Sequence, residues 1–130
     1  MTYYFSKVLT KPFDDVITAV TEALQKEGFG VLTEIDVKST LKKKLDVEFR
    51  NYRILGACNP PFAHQALSVE DKIGLMLPCN VIVQEIGENM VEVAAIDPLA
   101  SMQAVDNPGL QDIGLQVSEK LQQVVNSLTG

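Results

Sequence analysis

Two stretches of this chain repeat their apolar residues at helical spacing, and they narrow the fold more than any other feature. Phe13, Val16, Ile17, Val20 and Leu24 form one stripe; Leu110, Ile113, Val117, Leu121, Val124 and Leu128 form the other. Each stripe marks an amphipathic helix with one face to bury. Pro12 suits the first turn of the earlier helix, Asp14 and Asp15 sit near its positive end, and Gly28 stops it. Asn107-Pro108 supplies a cap and a first residue for the later one. Most of the chain between them reads as strands, so the two faces are expected to close on a sheet.

Residues 2–9 open the chain as a strand, with Tyr3, Tyr4, Phe5 and Val8 β-prone. Gly30 to Val37 alternates, with Val31, Thr33, Ile35 and Val37 on one face and Leu32, Glu34 and Asp36 on the other. That pattern predicts a strand with one core face. Ser39 is placed to cap a short helix, Thr40 to Leu45, and a loop leads to Asn51. Tyr52 to Cys58 is the next strand, and Asn59-Pro60 turns it into a helix reaching Leu67, or Asp71 at most. Cys79 to Glu85 is a strand, Gly87, Glu88 and Asn89 a turn, and Met90 to Ile96 its hairpin partner. Asp97-Pro98 breaks the pattern and opens a loop to Asn107. The expected class is therefore α+β: a largely antiparallel sheet with two long helices on one face. The order is strand, helix, four strands with short helical insertions, helix, in one domain spanning residues 1–130.

Composition sets the outer bounds. A chain of 130 residues buries about two-thirds of its unfolded surface, enough for a core without disulfides or metal. A net charge of −6 argues against nucleic acid as a partner, since binding a phosphate backbone needs a basic surface. Lys42, Lys43 and Lys44 are the one basic run and read as a solvated helix face. No stretch approaches the ~18 apolar residues that span a bilayer, and the first residues lack a signal-peptide core. A cytoplasmic protein is expected, in a compartment where two cysteines stay reduced.

The stretch from Tyr52 to Val83 concentrates the reactive chemistry. It holds both cysteines, the only histidine, and a repeated phrase, Cys58-Asn59 and Cys79-Asn80. Cys58 ends one strand and Cys79 begins the next, so antiparallel pairing would put both thiols at one sheet end. His64 follows one turn into the helix after Cys58. These three side chains are candidate ligands for zinc or a copper-like metal. The plainer reading is that both cysteines pack as small apolar residues. Cys58, near a helix start, or Cys79 could instead act as a thiolate in redox or transfer chemistry, with His64 as base. Asn59 reads as a helix cap, and Asn80 as a strand-start bridge or a pocket amide. Arg53 reads as a partner for Glu34 and Asp36 on the open sheet face, or as an anion-binding guanidinium. Phosphate-loop, H-E-x-x-H and G-x-S-x-G templates are absent.

GACNPPFAHQAL (Gly56 to Leu67), LPCNVIV (Leu77 to Val83), GFGVLTEIDVKSTLKKKL (Gly28 to Leu45) and the Asp97-Pro98 pair resemble the family called domain of unknown function 302. The resemblance implies a TBP-like fold of the β-α-β(4)-α type, and it implies frequent dimers. It implies no reaction and no catalytic residues. A homodimer is also expected from the sequence, because Tyr52–Cys58 and Val81-Ile82-Val83 are apolar on both faces and a bare outer face should be polar. Three functions remain open: binding of a small molecule or metal at the Cys58, His64 and Cys79 corner, thiol enzymology, or a structural module without a chemical site.

Overall fold

The computed structural model describes residues 2–130. Five strands, β1 (Tyr4–Leu9), β2 (Gly30–Asp36), β3 (Tyr52–Cys58), β4 (Cys79–Gly87) and β5 (Met90–Ile96), form one sheet in the order β1-β5-β4-β3-β2. Every neighbouring pair is antiparallel. The helices are α1 (Phe13–Lys26), α2 (Val37–Leu45), α3 (Pro60–Val69), α4 (Pro98–Ser101) and α5 (Pro108–Ser127). The expected order of elements holds, with α2, α3 and α4 as the insertions.

The two predicted stripes are the ones buried. Phe13, Val16, Val20 and Leu24 of α1 and Leu110, Ile113, Val117, Leu121 and Val124 of α5 close over one sheet face. Leu55, Val81, Val83, Val91 and Val93 meet them from that face. Each such side chain contributes about 1.5–3 kcal/mol by leaving water, which makes this layer the main source of stability. Gly28 ends α1 in the left-handed region, at φ 86°, where a side chain is strained. Pro12 stands one place earlier than expected, as the residue flanking α1.

Three local expectations are corrected. Asp36, not Ser39, caps the helix after β2: its carboxylate accepts the Ser39 N–H at 3.0 Å, so α2 starts at Val37. The stretch after Asp97 is not a plain loop but α4 followed by a 3-10 turn, Met102–Ala104. Asp97 accepts from the Leu99 N–H at 3.0 Å and from the Ser118 hydroxyl of α5 at 2.8 Å, so Asp-Pro acts there as a cap rather than a breaker.

The third correction concerns β2. Val31 pairs with Ala57, but Thr33 pairs with Gly56, leaving Leu32 as an extra residue in a bulge. A bulge reverses which face the following side chains take. Val31 therefore packs against the core, while Ile35 lies opposite Ile54 on the open face and is 47% exposed. Glu34 and Asp36 move to the helix side, opposite Leu55 and Arg53. No single face of β2 is the core face.

Candidate functional site: an apolar cavity at the two-cysteine corner

The register Ala57 to Cys79 brings the end of β3 and the start of β4 to one edge of the sheet. From Cys58 the chain passes through Asn59 into α3, and a 3-10 helix (Asp71–Met76) then carries it to Leu77, Pro78 and Cys79. This excursion does not collapse onto the sheet. It arches over a cavity of about 310 Å³, walled by Phe62 and Ala66 of α3, Leu77, Met102, and Ile113 and Val117 of α5. Leu32, thrown outward by the β2 bulge and 68% exposed, stands at the rim with Leu67 and Gly74, so the cavity opens to solvent there. Cys58, Cys79 and Asn59 supply its few polar side-chain atoms.

Both cysteines line this cavity, and both thiols are free. Cys79 is 9% exposed. Burial first, and the neighbouring Cys58 second, push its thiol up to about 11. At neutral pH it is the protonated thiol, a weak nucleophile. Cys58 is half-buried.

His64 does not join them. It is exposed on α3, outside the cavity lining, where its carbonyl oxygen accepts the Ser68 hydroxyl at 2.7 Å. Among the described residues no group of three or more His, Cys, Asp or Glu side chains is placed to hold a metal ion. The expected Cys58, His64 and Cys79 ligand set for zinc or a copper-like metal is thereby corrected. Two prolines open α3, and the helix turns its apolar side, Phe62 and Ala66, to the cavity, which leaves His64 facing water.

Asn59 is also corrected. It occupies the position before α3, yet its side chain makes no capping bond. With Pro61 at the second helical position, one of the two N–H groups a cap would serve does not exist. Its amide N–H instead donates to the Glu27 carbonyl oxygen at 3.2 Å, fastening this corner to the end of α1.

Asn80 and Arg53 lie elsewhere. Asn80 is exposed and borders a shallow hollow on the open sheet face with Tyr3, Tyr4, Tyr52, Gln84 and Glu92. There Arg50 donates to Gln84 at 2.9 Å, and Gln84 donates to Glu92 at 2.8 Å. Arg53 pairs with Glu34 at 2.6 Å and Asp36 at 3.8 Å, as expected, but on the helix side of the sheet, 5.9 Å from the Phe13 ring. Two carboxylates thus stand beside its charge, which disfavours an added anion there. The apolar walls were missed from sequence, although Phe62 with Ala66 and Ile113 with Val117 carry the i, i+4 signal of shared helix faces.

The fold and cavity define a small α+β domain with an apolar hollow at one end of its sheet. The chain belongs to the family described as domain of unknown function DUF302, whose sequence pattern matches residues 5–128. It is similar to a solved structure described as an uncharacterized conserved protein DUF302 from Bacillus stearothermophilus. The TM-score is 0.89 at 24% identity, over 97% of this chain and 98% of that one. That likeness establishes the fold. No curated protein matches. No helix among the described residues is long and apolar enough to cross a membrane.

Proposed function

We propose that this domain binds an apolar small molecule in the cavity at the Cys58 and Cys79 corner. The observation that carries the reading is the cavity itself: about 310 Å³, walled by apolar side chains and open at the Leu32 and Leu67 rim. Small-molecule pockets begin at about 300 Å³ and are mostly apolar with a few placed polar groups. Apolar walls left against water forgo about 25 cal/mol for each Å² that a bound apolar molecule would cover. A cytoplasmic setting would keep both thiols reduced.

A binding ligand stabilises the fold by RT ln(1 + [L]/Kd), about 2.7 kcal/mol at a hundredfold excess over Kd. Naphthalene-sized compounds are expected to raise Tm by several degrees. Ala63→Phe, which projects a ring into the cavity from its half-buried side, is expected to abolish the rise. If Ala63→Phe responds as the unaltered protein does, or if no apolar compound raises Tm, the reading is wrong.

Thiol enzymology finds less support. Cys79 is held protonated by burial, so any thiolate chemistry falls to Cys58. A second copy of this chain is proposed as the partner of the open sheet face. Support comes from Ile35, Ile54, Ile82 and Ala94, which form one cross-strand row on that face, with Tyr4 and Val8 at its β1 edge. An antiparallel sheet facing water is normally polar on that side.

A further inference from the structure

Asn59 is 8% exposed, and its amide is only half used. The donor end is committed to the Glu27 carbonyl oxygen, and this fixes which end is nitrogen and which is oxygen. The Oδ1 atom accepts no hydrogen bond from the described residues: Pro61 removes one of the two N–H groups it would ordinarily cap, and the other, that of Phe62, does not reach it. Yet no fully buried side-chain oxygen or nitrogen lacks a partner among the described residues, so Oδ1 is still reached by solvent. Asn59 borders the cavity. A carbonyl oxygen without a protein donor, fixed in orientation and set beside apolar walls, can exchange water for the donor of a bound molecule.

We infer that the cavity's ligand carries one neutral hydrogen-bond donor, a hydroxyl or an N–H, which Asn59 Oδ1 accepts while an apolar body fills the remaining space. This rests on the cavity being the binding site. A charged ligand is disfavoured, because burying a charge against these walls without a counter-charge costs far more than one hydrogen bond returns. The volume sets the size of the body. A cavity of about 150 Å³ holds benzene, so 310 Å³ accommodates a two-ring compound. The ligand class is therefore a neutral phenol, alcohol or N–H heterocycle of about that size.

The test compares 2-naphthol with 2-fluoronaphthalene, in which fluorine nearly matches the hydroxyl in size but donates nothing. Binding of each to the full chain is measured by calorimetric titration, and the Asn59 side-chain amide signals are followed by NMR. The expected result is binding of both, with 2-naphthol tighter by about tenfold, as one added hydrogen bond allows. The Asn59 signals should shift with 2-naphthol and stay nearly still with 2-fluoronaphthalene. Asn59→Ala should bring the two affinities together, and if that variant does not fold, the NMR readout on the unaltered protein decides. Equal binding of both compounds, or a preference for 2-naphthol without movement at Asn59, overturns the inference and leaves the apolar cavity standing. Binding of neither compound overturns both.

Discussion

At the scale of single residues, Cys79 ties the site to the stability of the fold. Its thiol is raised from 9.0 to about 11 by burial and by Cys58, so ionising it in the folded state is harder than in the unfolded chain. The sign follows from linkage: the stability this group contributes is complete below about pH 9 and is lost as pH rises toward 11. The denaturation midpoint should fall across that window, and Cys79→Ala should flatten the fall. A midpoint independent of pH in the unaltered protein would contradict it. The same burial predicts that a maleimide at pH 7 labels Cys58 well before Cys79. Arg53 is a contrasting case. Its contact with Glu34 is short, but both side chains are partly exposed, so the pair is worth about 0–1 kcal/mol and does not organise the fold.

Among the elements, the pairing of β2 with β3 decides most about the site. One inserted residue at Leu32 turns Ile35 outward, brings Glu34 and Asp36 to Arg53, and leaves Leu32 at the cavity rim. Gly56 is the residue that lets these strands approach. A Cβ there would lie 2.2 Å from Thr33 Oγ1 and 2.8 Å from the Pro78 ring. The proline ring cannot swing away as a flexible chain end can. Gly56→Ala should therefore cost about 1–3 kcal/mol, the usual range for overpacking, read from the denaturant midpoint. Because Pro78 lines the cavity beside Cys79, the same change should also weaken ligand binding. Gly30→Ala, where an added Cβ meets nothing within 4 Å, is the control and should change stability little.

For the molecule as a whole, the two faces of the sheet have different fates. One is closed by α1 and α5. The other presents a row of aliphatic side chains and tyrosines among Asn80, Gln84 and Glu92, with Tyr4 and Val8 exposed at its β1 edge. A second copy on that face should appear as a dimer in sedimentation at micromolar concentration. Ile82→Lys, which places a charge in the middle of the row, should shift the protein to monomer while leaving its fold intact. A monomer in the unaltered protein would remove the dimer proposal without touching the cavity, which lies at the end of the sheet and on its helix side.

Much of this architecture was legible in the order of residues alone. The stripes from Phe13 to Leu24 and from Leu110 to Leu128, the hairpin at Glu88-Asn89, and the corner that gathers Cys58 and Cys79 all follow from local signals: periodicity, turn residues and Pro positions. The sequence by itself therefore determined the element order, the α+β class and the part of the chain where the thiols meet. Only the tertiary structure decided what that corner is. Whether His64 reaches the thiols depends on the rotation of α3, whether Asn59 caps or fastens depends on where Glu27 lies, and whether α3 leaves a hollow depends on Met102, Ile113 and Val117 arriving from the far end of the chain. Those are contacts between segments distant in sequence, set by strand register, and a single bulge residue changes them without altering any local pattern that announces it.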